Sequence, residues 1–401
     1  MREREQAVTD PGPVSRRRVL GLAGGATLAL AGCAGPGPAI DAGHGSRPAS
    51  PAGELGANFN EEPRGLTTAV LDDLRTKWVR GFVATTGLRS ADAARQPAIK
   101  ALLDFSRSGY RTVLSLKFPY QRRALPRPGS GAMDAELARV DRALDAVLNT
   151  VDILVIGNEP FLETRHEDRP AHLNPFYRAV AAHVIAERTR RFGSNCRTRL
   201  YMGALNRLEH PAARTAAVAD WLAHVRATPE IDGVDVHPHV SSIEDATAYT
   251  DYVLPRIRPG QRFLATEFSL VHWWKRHLTD RVPAAYARRY GVPAATPVWR
   301  ELRAAAAHPV PQRRWHDLLM DSPWFATRTD YLTNQVRRFR GTGRLAVAAY
   351  GALQQPPMVH DIGPAKTPWL LNSLYANLVA RPSANGEMAH NPAFFTEFRA
   401  L

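Results

Sequence analysis

Ile153-Leu154-Val155-Ile156-Gly157-Asn158-Glu159-Pro160 joins an unbroken apolar run to a short polar group. Side chains of a strand alternate between its two faces, so four apolar residues in succession require cover on both. That is the pattern of a parallel strand sandwiched between helices. The stretch therefore predicts a buried strand over residues 153–159, with Asn158 and Glu159 at its C-terminal end.

Working outward, the same alternation of short apolar run, loop and longer helical stretch recurs along the chain. Strands are predicted at 56–60, 77–83, 112–118, 153–159, 200–204, 233–237, 262–268 and 345–351. Between them, residues 93–108 place Ile99, Leu102, Leu103 and Phe105 near one side, and 134–150 carry Leu137, Val140, Leu144, Val147 and Leu148 at spacings of three and four. Residues 175–191, 211–228 and 243–257 repeat the theme, and an apolar helix over 368–379 is expected to close the ring against the first helix. Eight strands alternating with helices fit a (β/α)8 barrel or a doubly wound sheet. No Gly-x-Gly-x-x-Gly follows the first strand, which removes the dinucleotide-binding version of the latter. Polar and aromatic residues gather instead at the C-terminal strand ends, where barrels build their sites. The fold expected is a (β/α)8 TIM barrel over 55–401. A long insertion between strands 7 and 8, about 272–340, carries Trp273, Trp274, Trp299, Trp315 and Trp324 and lies over the catalytic face or beside it.

The N-terminus reads differently. Ser15-Arg16-Arg17-Arg18 precedes an apolar run from Val19 to Leu30, too short for a membrane span of roughly 20 residues. A cationic start and a short apolar run resemble an export signal over 1–32, of the twin-arginine type. Leu30-Ala31-Gly32-Cys33 resembles a lipobox, which implies lipid attachment at Cys33 and a place on the outer side of the cytoplasmic membrane. Residues 33–54, rich in Gly, Pro, Ala and Ser, are expected to be a tether. With Cys33 lipidated, Cys196 is a lone thiol and no intrachain disulfide forms. The net charge of +14 is carried almost wholly by Arg. These arginines are scattered over predicted helices without a basic stripe or an aromatic-basic motif. They read as compositional bias, and no nucleic-acid partner is expected.

Two motifs carry chemistry: Ile156-Gly157-Asn158-Glu159-Pro160 after the fourth strand and Ala265-Thr266-Glu267-Phe268 after the seventh. Asn-Glu and a second Glu on these two strands resemble the clan of retaining glycoside hydrolases built on (β/α)8 barrels. The resemblance implies a carbohydrate substrate and no organic cofactor. It makes Glu159 the acid/base and Glu267 the nucleophile, with hydrolysis or transglycosylation as the outcome. A glycosidic bond needs both, because the leaving oxygen must be protonated while the sugar carbon is attacked from the other side. It also implies that Glu159 carries a proton in the free protein, through a pKa raised by burial or a neighbouring carboxylate. Asn158 would bond the sugar 2-hydroxyl, and Arg80 would hold Glu267 ionised. His237 or His239 would orient the nucleophile; Trp273, Trp274 and Tyr350 offer flat faces for stacking on sugar rings.

Other readings of the same residues stay open. Asn158 and Glu159 are placed to cap the next helix, Arg80 to form a barrel-floor ion pair, and the paired tryptophans to pack a loop. Asn60, Lys117 and Asn206 sit at further strand ends, where they line the cleft or simply meet solvent. Asp235, His237 and His239 form a His-x-His set of the kind that holds zinc. A lipoprotein that binds glycan without cleaving it is a further alternative.

Overall fold

The computed structural model describes residues 49–88 and 92–401. The signal, the lipobox Cys33 and most of the tether lie outside the described residues. Eight strands form a closed parallel barrel: β1 (Glu54–Asn58), β2 (Trp78–Ala84), β3 (Arg111–Lys117), β4 (Ile153–Ile156), β5 (Arg199–Asn206), β6 (Ile231–His237), β7 (Arg262–Ala265) and β8 (Leu345–Gly351), with β8 pairing back to β1. The fold is the expected (β/α)8 barrel. The helices that follow the strands are α1 (Thr68–Asp73), α2 (Pro97–Arg107), α3 (Gly131–Val147), the short α4 (Pro160–Glu163) with α5 (Leu173–Phe192), α6 (Ala216–Ala227) and α7 (Ile243–Val253). Their starts are set by capping. Ser130, Thr215 and Ser242 each accept a backbone N–H from the first turn, the interaction that makes these residue types good helix openers. This is why α3 begins three residues before its apolar spacing does.

Two separate apolar clusters hold the layers together. One lies between strands and helices and runs round the whole ring. The other, built on Trp78, Val113, Ile153, Val155, Tyr201 and Leu264, fills the inside of the barrel. Along β2 the residue two beyond Trp78 is Arg80, so the interior changes from apolar to polar within one layer. A buried floor thus carries a polar layer towards the C-terminal strand ends.

Residues 266–344 between β7 and β8 contain six helices: α8 (Val271–Arg276), α9 (Ala284–Tyr290), α10 (Val298–Ala307), α11 (Gln312–Met320), α12 (Pro323–Ala326) and α13 (Tyr331–Gly341). Their apolar faces join the larger of these clusters, where Trp274 packs against Trp324 and Phe325. After β8 comes the short α14 (Pro356–Val359). The helix expected over 368–379 is absent. A single turn at Trp369–Leu371 gives way to irregular chain whose Leu370, Leu371, Leu374 and Val379 are buried by tertiary packing rather than by helical periodicity. The chain is closed instead by α15 (Phe394–Ala400). Phe395 of α15 meets Tyr375, and the Tyr375 hydroxyl donates to Asp73 of α1.

β4 and β7 end sooner than the sequence suggests, at Ile156 and Ala265. At the first of these, Gly157 has φ +107°, and a Cβ there would stand 2.1 Å from the carbonyl oxygen of Gly203. No L side chain fits that space, and the φ is costly for any residue with one. The turn it permits lifts Asn158 and Glu159 out of the ladder towards the barrel axis. Gly157→Ala is expected to lower the unfolding free energy by about 2–4 kcal/mol, read from urea denaturation midpoints. A change below about 0.5 kcal/mol, the range of ordinary surface substitutions, would contradict this account of the turn.

Candidate active site

Arg80, on β2, is fully buried and reaches four strands or strand ends at once. One terminal nitrogen donates to Asn58 Oδ1 of β1 (3.2 Å) and to Glu267 Oε1 beyond β7. The other donates to Asn158 Oδ1 beyond β4 and to Ser115 Oγ of β3 (3.2 Å), and Nε also reaches Ser115. A guanidinium presents its donors in a planar fork, so satisfying them in this way fixes the partners relative to one another. Arg80 is therefore more than a floor ion pair.

Glu159 and Glu267 meet at His237, the last residue of β6. Its Nδ1 is 3.4 Å from Glu159 Oε1 and 4.0 Å from Glu267 Oε1. The two carboxyl oxygens are thus closer than the sum of those distances, within one cluster. Glu159 opens α4 but makes no side-chain capping bond, so the capping alternative is excluded for it. On the far side of the His237 ring, Nε2 lies 2.9 Å from Thr266 Oγ1, whose hydroxyl donates to Asp235. His239 is arranged in parallel: Nδ1 is 2.8 Å from Ser269 Oγ and Nε2 is 3.5 Å from Glu267 Oε2.

The charges follow from this packing. Burial opposes ionisation of Glu267, but the His237 and Arg80 cations and the His239 contact hold its carboxyl well below the usual range. Burial likewise disfavours a charged His237, and Glu267, Asp235 and Glu159 more than reverse it, pushing the imidazole up to about 10. For Glu159, burial and the nearby Glu267 work upwards, yet the hydrogen bond and charge of His237 bring the net shift below the ordinary value. The expectation of a raised Glu159 pKa therefore fails. An adjacent imidazolium outweighs desolvation, and the proton of the cluster rests on His237.

A cavity of about 740 Å³ opens over the two carboxylates. Its walls come from Asn58 at the end of β1 and Asn60, Glu61 and Glu62 after it, from Phe82 and Lys117 towards the ends of β2 and β3, and from residues 355–358, Trp369 and Asn372 after β8. Gln355 Nε2 donates to the Glu62 carbonyl (3.0 Å), tying the two sides of the rim together. No residue of α8 to α13 lines it.

The three aromatic residues expected to stack on substrate do not reach this cavity. Trp274 is buried among Trp324, Phe325 and Phe394, because α8 turns its apolar face towards α12 and α15. Trp273 donates to the Trp324 carbonyl and borders a separate surface hollow with His277. Tyr350 points away from the cavity into a cluster with Phe268 and Phe394. The aromatic residues that do line the cavity are Trp369, whose indole meets the His239 ring at 4.8 Å, Phe82 and Phe268. Of the uncertain polar positions, Asn60 and Lys117 line the cavity, whereas Asn206 does not. The zinc-type set of Asp235, His237 and His239 does not converge, since both Asp235 oxygens are engaged by Thr266 behind His237. Glu159, His237 and His239 do bring donor atoms within 4.8 Å of one another. The buried Arg80 guanidinium, paired to Glu267, places a fixed positive charge close to that cluster, which opposes a second cation there.

Glu163, four residues beyond Glu159, escaped the sequence reading. It is buried, its Oε1 accepts from Asn158 Nδ2 (2.9 Å), and Lys117 Nζ lies 3.7 Å away. Asn158 thereby has its carbonyl held by Arg80 and its amide held by Glu163. Burial raises the Glu163 pKa from 4.5 to about 7 against the pull of Lys117 and Asn158. A carboxyl with a raised folded pKa holds an extra proton in the folded state between those values, so its share of stability falls as pH rises through that window and is level above it. Glu163→Gln should remove this slope, worth on the order of 3 kcal/mol at most. Denaturation of both proteins at pH 5 and pH 8 measures it. Equal pH dependence in the two would show that Glu163 is not the group responsible.

Comparison with known proteins closes the description. No family model matches the chain. No curated protein matches it either. Among solved structures, xylanase B from Clostridium stercorarium F9 is 12% identical, with 87% of this chain and 96% of that one covered at a TM-score of 0.49. A glucosidase from Croceicoccus marinus is 11% identical, with 89% and 69% covered at a TM-score of 0.48. The xylanase from Bispora sp. MEY-1 is 10% identical, with 87% and 96% covered at a TM-score of 0.47. At this identity the chemistry has to be read from the chain's own side chains.

Proposed function

We propose that the chain is a retaining glycoside hydrolase working by double displacement, with Glu267 as nucleophile and Glu159 as acid/base. The observation that carries this reading is the meeting of the two carboxylates around one ring nitrogen, beneath a cavity sized for a short stretch of sugar. Glu267 is held ionised by Arg80 and by His237, as a nucleophile should be. Asn58, Asn60 and Lys117 offer hydrogen bonds to hydroxyls, and Trp369 offers a flat face. The polysaccharide or oligosaccharide enters at the rim between the β1 and β8 loops. Its glycosyl carbon bonds to Glu267 as the aglycone oxygen takes a proton. Water then breaks the ester with Glu159 as base, and a sugar hydroxyl in place of water gives transglycosylation. The Arg-Arg signal and the lipobox support export, and a lipid at Cys33 on the outer side of the membrane.

The test is the anomeric form of the first product, followed by proton NMR during turnover of aryl glycosides and oligosaccharides. Retention is expected. Glu267→Ala should lower turnover by more than about 10⁴-fold with its melting curve still cooperative. Glu159→Ala should cost about 10²–10⁴-fold on substrates with poor leaving groups and far less on activated aryl glycosides, which leave without a proton. Undiminished turnover in Glu267→Ala would remove the mechanism. Glycan binding without cleavage, the same in wild type and Glu267→Gln, would favour a binding lipoprotein.

A further inference from the structure

The reading of Glu159 as acid/base leaves a question of supply. The carboxyl that must deliver a proton is itself held ionised by its neighbour. The nearest proton is on that neighbour, 3.4 Å from Glu159 Oε1. The ring that carries it is fully buried, so solvent does not exchange with it directly.

Which ring nitrogen gives the proton up is settled by what stands behind it. Thr266 spends its hydroxyl hydrogen on Asp235, so towards His237 Nε2, at 2.9 Å, it is only an acceptor. Nε2 therefore keeps a hydrogen in both the charged and the neutral ring. The Thr266 backbone N–H also donates to Asp235 (3.1 Å), which clamps the carboxylate in this orientation. All variation in charge falls on Nδ1, the nitrogen facing Glu159 and Glu267.

We propose that His237 is the proton store of this site: Asp235 and Thr266 fix the outer proton on Nε2 and leave Nδ1 to pass the catalytic proton to and from Glu159. This rests on the glycosidase reading. In the first displacement the Nδ1–H bond breaks and a Glu159 O–H bond forms, and that proton passes to the departing oxygen. His237 is left neutral with its hydrogen on Nε2. In the second, Glu159 takes a proton from water as the hydroxyl bonds to the sugar carbon, and returns it to Nδ1. Asp235 and Thr266 act through His237 and are positioning residues. The charged or titratable groups facing the ring are Glu159 beyond β4, Glu267 beyond β7, Asp235 on its own strand and His239 just beyond that strand. Arg80 stands one contact further away, through Glu267.

Two measurements test the proposal, one independent of turnover. In the full chain labelled with ¹⁵N-histidine, the His237 resonances should show Nε2 protonated throughout, with Nδ1 losing its proton near pH 10. Thr266→Val should let the neutral ring adopt both tautomers, and Thr266→Ser should restore one. A neutral ring bearing its hydrogen on Nδ1, or titration of the ring near its ordinary value of about 6.5, overturns the assignment. In turnover of a poor-leaving-group substrate, the alkaline limb of kcat/KM should follow the coupled Glu159–His237 pair and stand near pH 10. His237→Gln should move it at least about two pH units down, into the range of a carboxyl titrating alone. A limb unmoved in His237→Gln overturns the store. If wild type cleaves no glycan, the glycosidase reading fails on its own, and the tautomer measurement still decides the role of Asp235 and Thr266.

Discussion

A buried guanidinium with its donors satisfied governs the centre of this barrel. Arg80 has no access to solvent, and an unpaired charge in such a place would cost several kcal/mol. Its partners are therefore obligatory: Asn58, Ser115, Asn158 and Glu267 from β1, β3, β4 and β7. Each arrives from a different strand, so the barrel has to close in the right register before the charge is compensated. The same bonds that answer the desolvation of Arg80 set the spacing of Asn158 and Glu267. Stability and site geometry are here one requirement.

A second constraint is layered on the first. Counting Arg80, Lys117 and His237 against Glu159, Glu163, Asp235 and Glu267, the polar layer is crowded with charge, and Arg80, His237, Glu163 and Asp235 within it are buried. Such a layer is tolerable because every cation in it lies against a carboxylate. It also means that no group titrates alone. His237 is a base strong enough to hold a proton across the neutral range, and Glu163 is a carboxyl weak enough to keep one up to about pH 7. The environment has pushed the ordinary order of an acid and a base towards each other.

Much of this was legible in the residues. Runs such as Ile153-Leu154-Val155-Ile156 mark parallel strands because burial on both faces leaves no polar position, and all eight strands lie close to where that rule puts them. Glu159, Glu267, Arg80, His237 and His239 come together as their strand ends suggested. What was hidden depends on direction. Tyr350 lies near the end of β8 but points outwards; Trp273 and Trp274 follow Glu267 in sequence, yet one borders a separate hollow and the other packs against Trp324 and Phe325. Trp369 lay inside a stretch whose apolar content imitated a helix, because tertiary burial selects the same residues without their periodicity. Glu163 carried a usable signal, a second carboxyl one helical turn after the first, but its partners Asn158 and Lys117 are fixed only by the fold. The sign of the Glu159 shift was out of reach because it turns on a few tenths of a nanometre to one imidazole.

The cavity straddles the seam of the ring, where β8 meets β1. One wall belongs to residues 58–62, near the beginning of the described chain, and the opposite wall to residues 351–372, near its end. During synthesis the first wall emerges almost three hundred residues ahead of the second, and for that interval it is half a pocket facing nothing. The cavity is thus walled on both sides only after residues 351–372 have been made. A chain cut short before residue 351 would possess both Glu159 and Glu267 and still lack one wall of the cavity above them, so the pocket over these carboxylates exists only once the ring has closed.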